Sequence, residues 1–91
     1  MLIRNQDKTV IVNIDNAFNI EIRDINGATA IYIGSSSRCC NMAEYSTKAK
    51  AMKVLDMVQD AYERYEYEKV FKTGLTLFET FQMPEDGSVE V

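Results

Sequence analysis

Ninety-one residues provide material for one hydrophobic core and a single domain. Hydrophobic residues at 46% and charged ones at 26% are the proportions of a globular chain, and no apolar run nears the ~20 residues that span a bilayer. A net charge of −4 argues against direct nucleic-acid binding, and the lack of histidine removes the usual neutral-pH base and the commonest metal ligand.

The first half of the chain alternates with period two. "MLIR" reads as a short strand ahead of the polar turn Asn5-Gln6-Asp7-Lys8. Val10, Val12 and Ile14 share one face of "TVIVNID", and Asp15-Asn16 is the next turn. Phe18, Ile20 and Ile22 share a face of "FNIEIRD", with Asn19, Glu21 and Arg23 opposite, the pattern of a half-buried strand. Asn26-Gly27 is a strong hairpin signal. "ATAIYIG" returns as a third strand, with Ile31 and Ile33 on one face and Tyr32 on the other.

"GSSSRCCN" (34–41) gathers hydroxyls, an arginine and two adjacent thiols. It lies between the strand "AIYIG" and the apolar-polar run "CCNMAEY", and Gly-Ser-Ser-Ser is turn composition. A phosphate-cradling loop would open directly onto a helix. A phosphatase loop would place Cys before Arg, and no histidine is present to activate either thiol. The stretch therefore predicts a strand connection, with Cys39 and Cys40 alternating across a strand and one of them buried. Neighbouring cysteines also close no loop that a disulfide could staple.

From Ser46 the period changes. Ala51, Val54, Leu55, Val58, Tyr62 and Tyr65 recur at spacings of three and four, which predicts a helix over about 46–69, capped by Ser46 or Thr47 and stopped at Thr73-Gly74. "LTLFETFQM" (about 75–83) predicts a last strand, ended by Pro84. The domain is then 1–84, and 85–91 an acidic mobile tail. One amphipathic helix needs one apolar sheet face, so the predicted fold is α+β. It is a two-layer sandwich of a mostly antiparallel meander sheet, about four to six strands, with the helix on one face.

On that helix Asp56, Asp60, Glu63 and Tyr67 cluster opposite the apolar stripe, with Lys53 and Arg64 along the edge. Lys48, Lys50 and Lys53 occupy the first turns and the acids the second half, against the preference of the macrodipole. An Asp60–Arg64 contact at i,i+4 offers a little relief. The acidic face is the candidate surface for a basic protein partner, with Tyr67 as an anchor. Ile11, Tyr32 and Phe78 form a candidate self-association patch on the sheet's second face, which would make a homodimer. No catalytic residue, metal site or cofactor is expected, and neither is enzymatic activity. Without a basic n-region and apolar h-region, the expected compartment is the cytoplasm.

"LIRNQDKTVIVNID" and "STKAKAMKVLDMVQDAY" together resemble a group of short phage and prophage proteins of Gram-positive bacteria. Those proteins combine an Asn/Ser-Gln-Asp start, an Ile-Val-Asn strand and a helix opened by Tyr-Ser-Thr. Gln6, Asp7, Asn13, Tyr45, Ser46, Thr47, Val54 and Leu55 carry the likeness, and Lys48-Ala49-Lys50 departs from it where an acid often follows "YST". The motifs are turn and core signatures and imply no chemistry. The resemblance implies a mobile-element accessory protein inside a bacterial cell. One expected form is a non-enzymatic inhibitor of a host defence nuclease, such as a CRISPR effector. The alternative is a homo-oligomeric phage structural or assembly protein.

Overall fold

The computed structural model describes residues 1–35, 38–71 and 80–91. Among these, six strands and one long helix follow one another in an α+β arrangement, with the helix packed on sheet. The strands are β1 (Leu2–Arg4), β2 (Ile11–Asn13), β3 (Asn19–Ile25), β4 (Ala28–Gly34), β5 (Cys39–Tyr45) and, after the helix α1 (Lys48–Phe71), β6 (Thr80–Gln82). They divide into two three-stranded sheets, ordered β2-β1-β6 and β3-β4-β5, where the alternation alone suggested one meander.

The second sheet is the meander. β3 and β4 pair antiparallel from Asn19↔Gly34 to Ile25↔Ala28, closed by Asn26-Gly27. Both turn residues have positive φ, +51° and +82°, the conformation that a two-residue hairpin needs and that Asn and Gly tolerate best. β4 pairs antiparallel with β5, with a register shift at Ile31/Tyr32. In the first sheet β1 is central, antiparallel to β2 and parallel to β6.

Gln6 joins the two sheets. Its backbone N–H donates to Met42 O at 2.8 Å. Its side-chain Oε1 accepts from Glu44 N at 3.0 Å, while Nε2 donates to Glu44 O and to Pro84 O, each at 3.1 Å. The carboxamide thus occupies the place of a peptide group beside β5.

The core lies between the helix and the sheets. Ala51, Val54 and Val58 of α1 meet Ile31, Ile33, Met42, Ala43 and Tyr45, joined by Ile3, Met83 and Val89. Burying each of the Val, Ile and Met side chains contributes roughly 1.5–3 kcal/mol. Thr47 caps the helix, its hydroxyl oxygen accepting from Lys50 N at 3.2 Å. The expected stop at Thr73-Gly74 lies outside the described residues, as does most of the expected 75–83 strand.

Two sequence expectations are corrected. Phe18 does not share the buried face of Ile20 and Ile22. The strand begins only at Asn19, after a 3₁₀ turn over Ile14–Asn16, and Phe18 is 78% exposed. Residues 85–91 are not a free tail. Asp86–Ser88 form a 3₁₀ turn, Val89 is 6% exposed within the core, and Asp86 is bound to Ser46 and Lys50. One buried valine and one bonded carboxylate seat the acidic segment against the start of the helix.

Candidate functional site: the outer face of the helix

α1 is 24 residues long, about 36 Å at 1.5 Å per residue. Because Ala51, Val54 and Val58 fix its inner stripe, Asp56, Asp60 and Glu63 stand outward as an exposed ridge over two turns. Tyr67 continues the ridge at 62% exposure. The four candidates of the sequence analysis therefore share one solvent-facing line.

Local pairing leaves most of that charge in place. Gln59 Nε2 donates to Glu63 Oε1 at 3.2 Å, one helical turn away. Among the described residues no ion pair joins Asp60 to Arg64, so the relief expected at that spacing is absent. Clefts flank the ridge. Met1, Met57, Asp60, Arg64 and Phe81 border one of about 270 Å³. On the other side Ile14, Ile20, Leu55, Tyr62 and Glu63 border an apolar groove of about 290 Å³.

The N-terminal end of the helix carries Lys48, Lys50 and Lys53. Lys50 Nζ donates to Asp86 O at 3.0 Å and lies 3.6 Å from Asp86 Oδ2. The Asp86 carboxylate also accepts from the backbone N–H of Ser46 at 2.8 Å and from its hydroxyl at 3.0 Å. The Ser46 N–H in particular holds the Asp86 carboxyl below the usual carboxylate range. The first turn of α1 contains no acid of its own. Asp86 brings the anion that the helix N-terminus prefers from beyond β6.

The self-association candidates are not brought together. Ile11 is 53% exposed on β2, on the outer face of the first sheet. Tyr32 is on β4 of the second sheet, half-buried beneath the Arg23 guanidinium, whose carbon lies 4.8 Å from the ring centroid. Phe78 lies outside the described residues.

"GSSSRCCN" connects β4 to β5. The Ser35 N–H donates to Arg38 O at 2.8 Å and its hydroxyl to the same oxygen at 3.2 Å. Cys39 is exposed, with Arg23 Nη2 at 3.6 Å from its sulfur, and Cys40 is partly buried against the core. Neither thiol is fully buried, where the sequence pattern predicted that one would be. Among the described residues no three His, Cys, Asp or Glu side chains are grouped to hold a metal ion. Nor is any helix long and apolar enough to cross a membrane.

Sequence reasoning missed Gln6 and Asp86 as organising residues. Their partners lie 36 to 78 positions away, so no local pattern marks either one.

The chain matches no family model, no curated protein and no solved structure. The class of protein is thus defined by fold and surface alone: a small α+β domain displaying an acidic helix.

Proposed function

We propose that this protein is a non-enzymatic binding module whose acidic helix face docks on a basic surface of another protein. The observation that carries the reading is the exposed line of Asp56, Asp60 and Glu63, held by a helix whose opposite stripe is locked into the core. Carboxylates spaced along a rigid rod complement a surface that otherwise holds phosphates. The clefts beside Asp60 and Glu63 offer places for a partner's aliphatic or aromatic groups at the rim of that contact.

With the resemblance to phage and prophage proteins, the concrete form is an accessory protein of a mobile element in a bacterial cytoplasm. It occupies the nucleic-acid channel of a host defence nuclease and inhibits it. The test compares the native protein with the Asp56→Lys/Asp60→Lys/Glu63→Lys variant as baits in bacterial lysate. The expected result is a nucleic-acid-handling protein retained by the native bait alone and displaced by a polyanion such as heparin. Equal capture by both baits, or retention indifferent to the polyanion, overturns the reading.

A further inference from the structure

β3 stands at the end of its sheet, and its seven residues pair with β4 without a break. Among the described residues, no backbone hydrogen bond outside the β3–β4 ladder reaches Ile20, Ile22 or Asp24. The Asn26-Gly27 turn fixes which groups line the outer edge. In a hairpin closed by two residues the flanking pair is hydrogen-bonded, and the pairs alternate from there. Ile25, Arg23 and Glu21 therefore turn their N–H and C=O toward β4, and Asp24, Ile22 and Ile20 turn theirs outward. The far side of the sheet obeys the same parity, since Gln6 binds the backbone of Met42 and Glu44 and skips Ala43 between them.

Natural sheets protect such an edge with Pro, a bulge, brevity or charged side chains. β3 is seven residues long and has no Pro or Lys, whereas β2 and β6 are three residues each. Its charges, Glu21, Arg23 and Asp24, are of both signs, so a partner strand can pair them. We propose that β3 is the interface of a two-fold homodimer, pairing antiparallel with β3 of a second copy about a centre at Ile22. This inference is independent of the acidic helix.

Charge and the length of strand paired together select the register, since a centre nearer Asn19 would leave part of β3 without a partner. Centred on Ile22, the outward groups of Ile22 meet their equivalents and those of Ile20 meet Asp24, giving about six backbone hydrogen bonds. The same register sets Glu21 opposite Arg23 of the second copy, twice by symmetry, on the outer face. Moving the centre by one residue opposes Glu21 to Glu21 or Arg23 to Arg23, and moving it two residues toward the turn opposes Asp24 to Asp24. Like charges directly opposite are destabilising. Within one copy Arg23 already bonds Glu21, so the dimer joins two such pairs into a closed four-charge ring. Phe18 and Ile25, 78% and 41% exposed, come to lie opposite Asn26 and Asn19 of the second copy.

Light scattering on the full chain tests this across concentrations up to about millimolar, with circular dichroism confirming that each variant is folded. The native protein should approach twice 10.4 kDa. Glu21→Arg and Arg23→Glu should each raise the dimer dissociation constant about tenfold or more. Mixed in equal amounts, the two variants should dimerise, because one carries two cations and the other two anions along the edge. A native protein of monomer mass throughout overturns the proposal. So do single variants that dimerise as the native chain does, or a mixture that stays monomeric.

Discussion

Asp86 Oδ1 lies 2.8 Å from the backbone N of Ser46, so the helix receives an anionic cap from a residue forty positions downstream. Replacing Asp86 by Ala should lower Tm by a few degrees at neutral pH. The contribution comes from a carboxyl whose pKa is lowered on folding. It is fully present above the ordinary value of 3.8 and is lost as pH falls through the lower folded value. Thermal melts of the native and Asp86→Ala chains should therefore converge at acid pH. A gap that persists there would assign the effect to packing instead.

The docking of 85–91 makes a separate prediction. Val89→Ser places a hydroxyl among Met83 and the other core side chains and should cost about 1–3 kcal/mol in urea unfolding. Truncation after Pro84 should cost at least as much. A truncated chain as stable as the native one would return this segment to the status of a tail.

Gln6 provides a sharper comparison. Gln6→Ala removes three side-chain hydrogen bonds and should destabilise by about 1–3 kcal/mol. Gln6→Glu keeps the shape but cannot donate to Glu44 O or Pro84 O once ionised, and it should be no better than Ala at neutral pH. Restoration of stability in the Glu variant on acidification, when the carboxyl regains a proton to donate, would separate donation from packing.

Tyr45 is 2% exposed and its hydroxyl donates to Pro84 O at 2.7 Å. Burial pushes the phenol well above its ordinary pKa, with the nearby Asp86 charge adding to the effect. In a spectrophotometric titration Tyr45 should stay protonated until the fold is lost, so a Tyr45→Phe variant should show the same alkaline titration up to that point. The variant should lose about 0.5–1.5 kcal/mol of stability. A tyrosine signal missing from its titration below unfolding would contradict this placement.

Much of this fold is legible locally. Asn26-Gly27 announces the hairpin, and the spacing of Ala51, Val54 and Val58 announces the inner face of the helix, because both depend on neighbours within a few residues. The outward line of Asp56, Asp60 and Glu63 follows from the same spacing. What the sequence hides is pairing at a distance. Nothing in "TFQ" (80–82) says that it runs parallel to "LIR" (2–4), and nothing near Gln6 names Glu44 and Pro84 as its partners. The acidic composition of 85–91 suggests solvent, and the seat of Val89 in the core together with the bonds of Asp86 to Ser46 and Lys50 reverses that. Similarly, alternation alone cannot divide six strands between two sheets, so Ile11 and Tyr32 look like neighbours in the pattern and are not neighbours in space.

The central position of β1 has a kinetic consequence. β3, β4 and β5 close through short turns, at a small entropic cost, whereas Ile3 meets Phe81 only when a loop of nearly the whole chain has closed. The meander and the helix laid on it should form the folding nucleus, and the β1–β6 ladder should zip afterwards. A Gly27→Ala change, strained at φ +82°, should then slow refolding, while a change at Phe81 should leave refolding nearly untouched and quicken unfolding. The two ends of the domain would thus act as its clasp: last to fasten, and first to open when the protein comes apart.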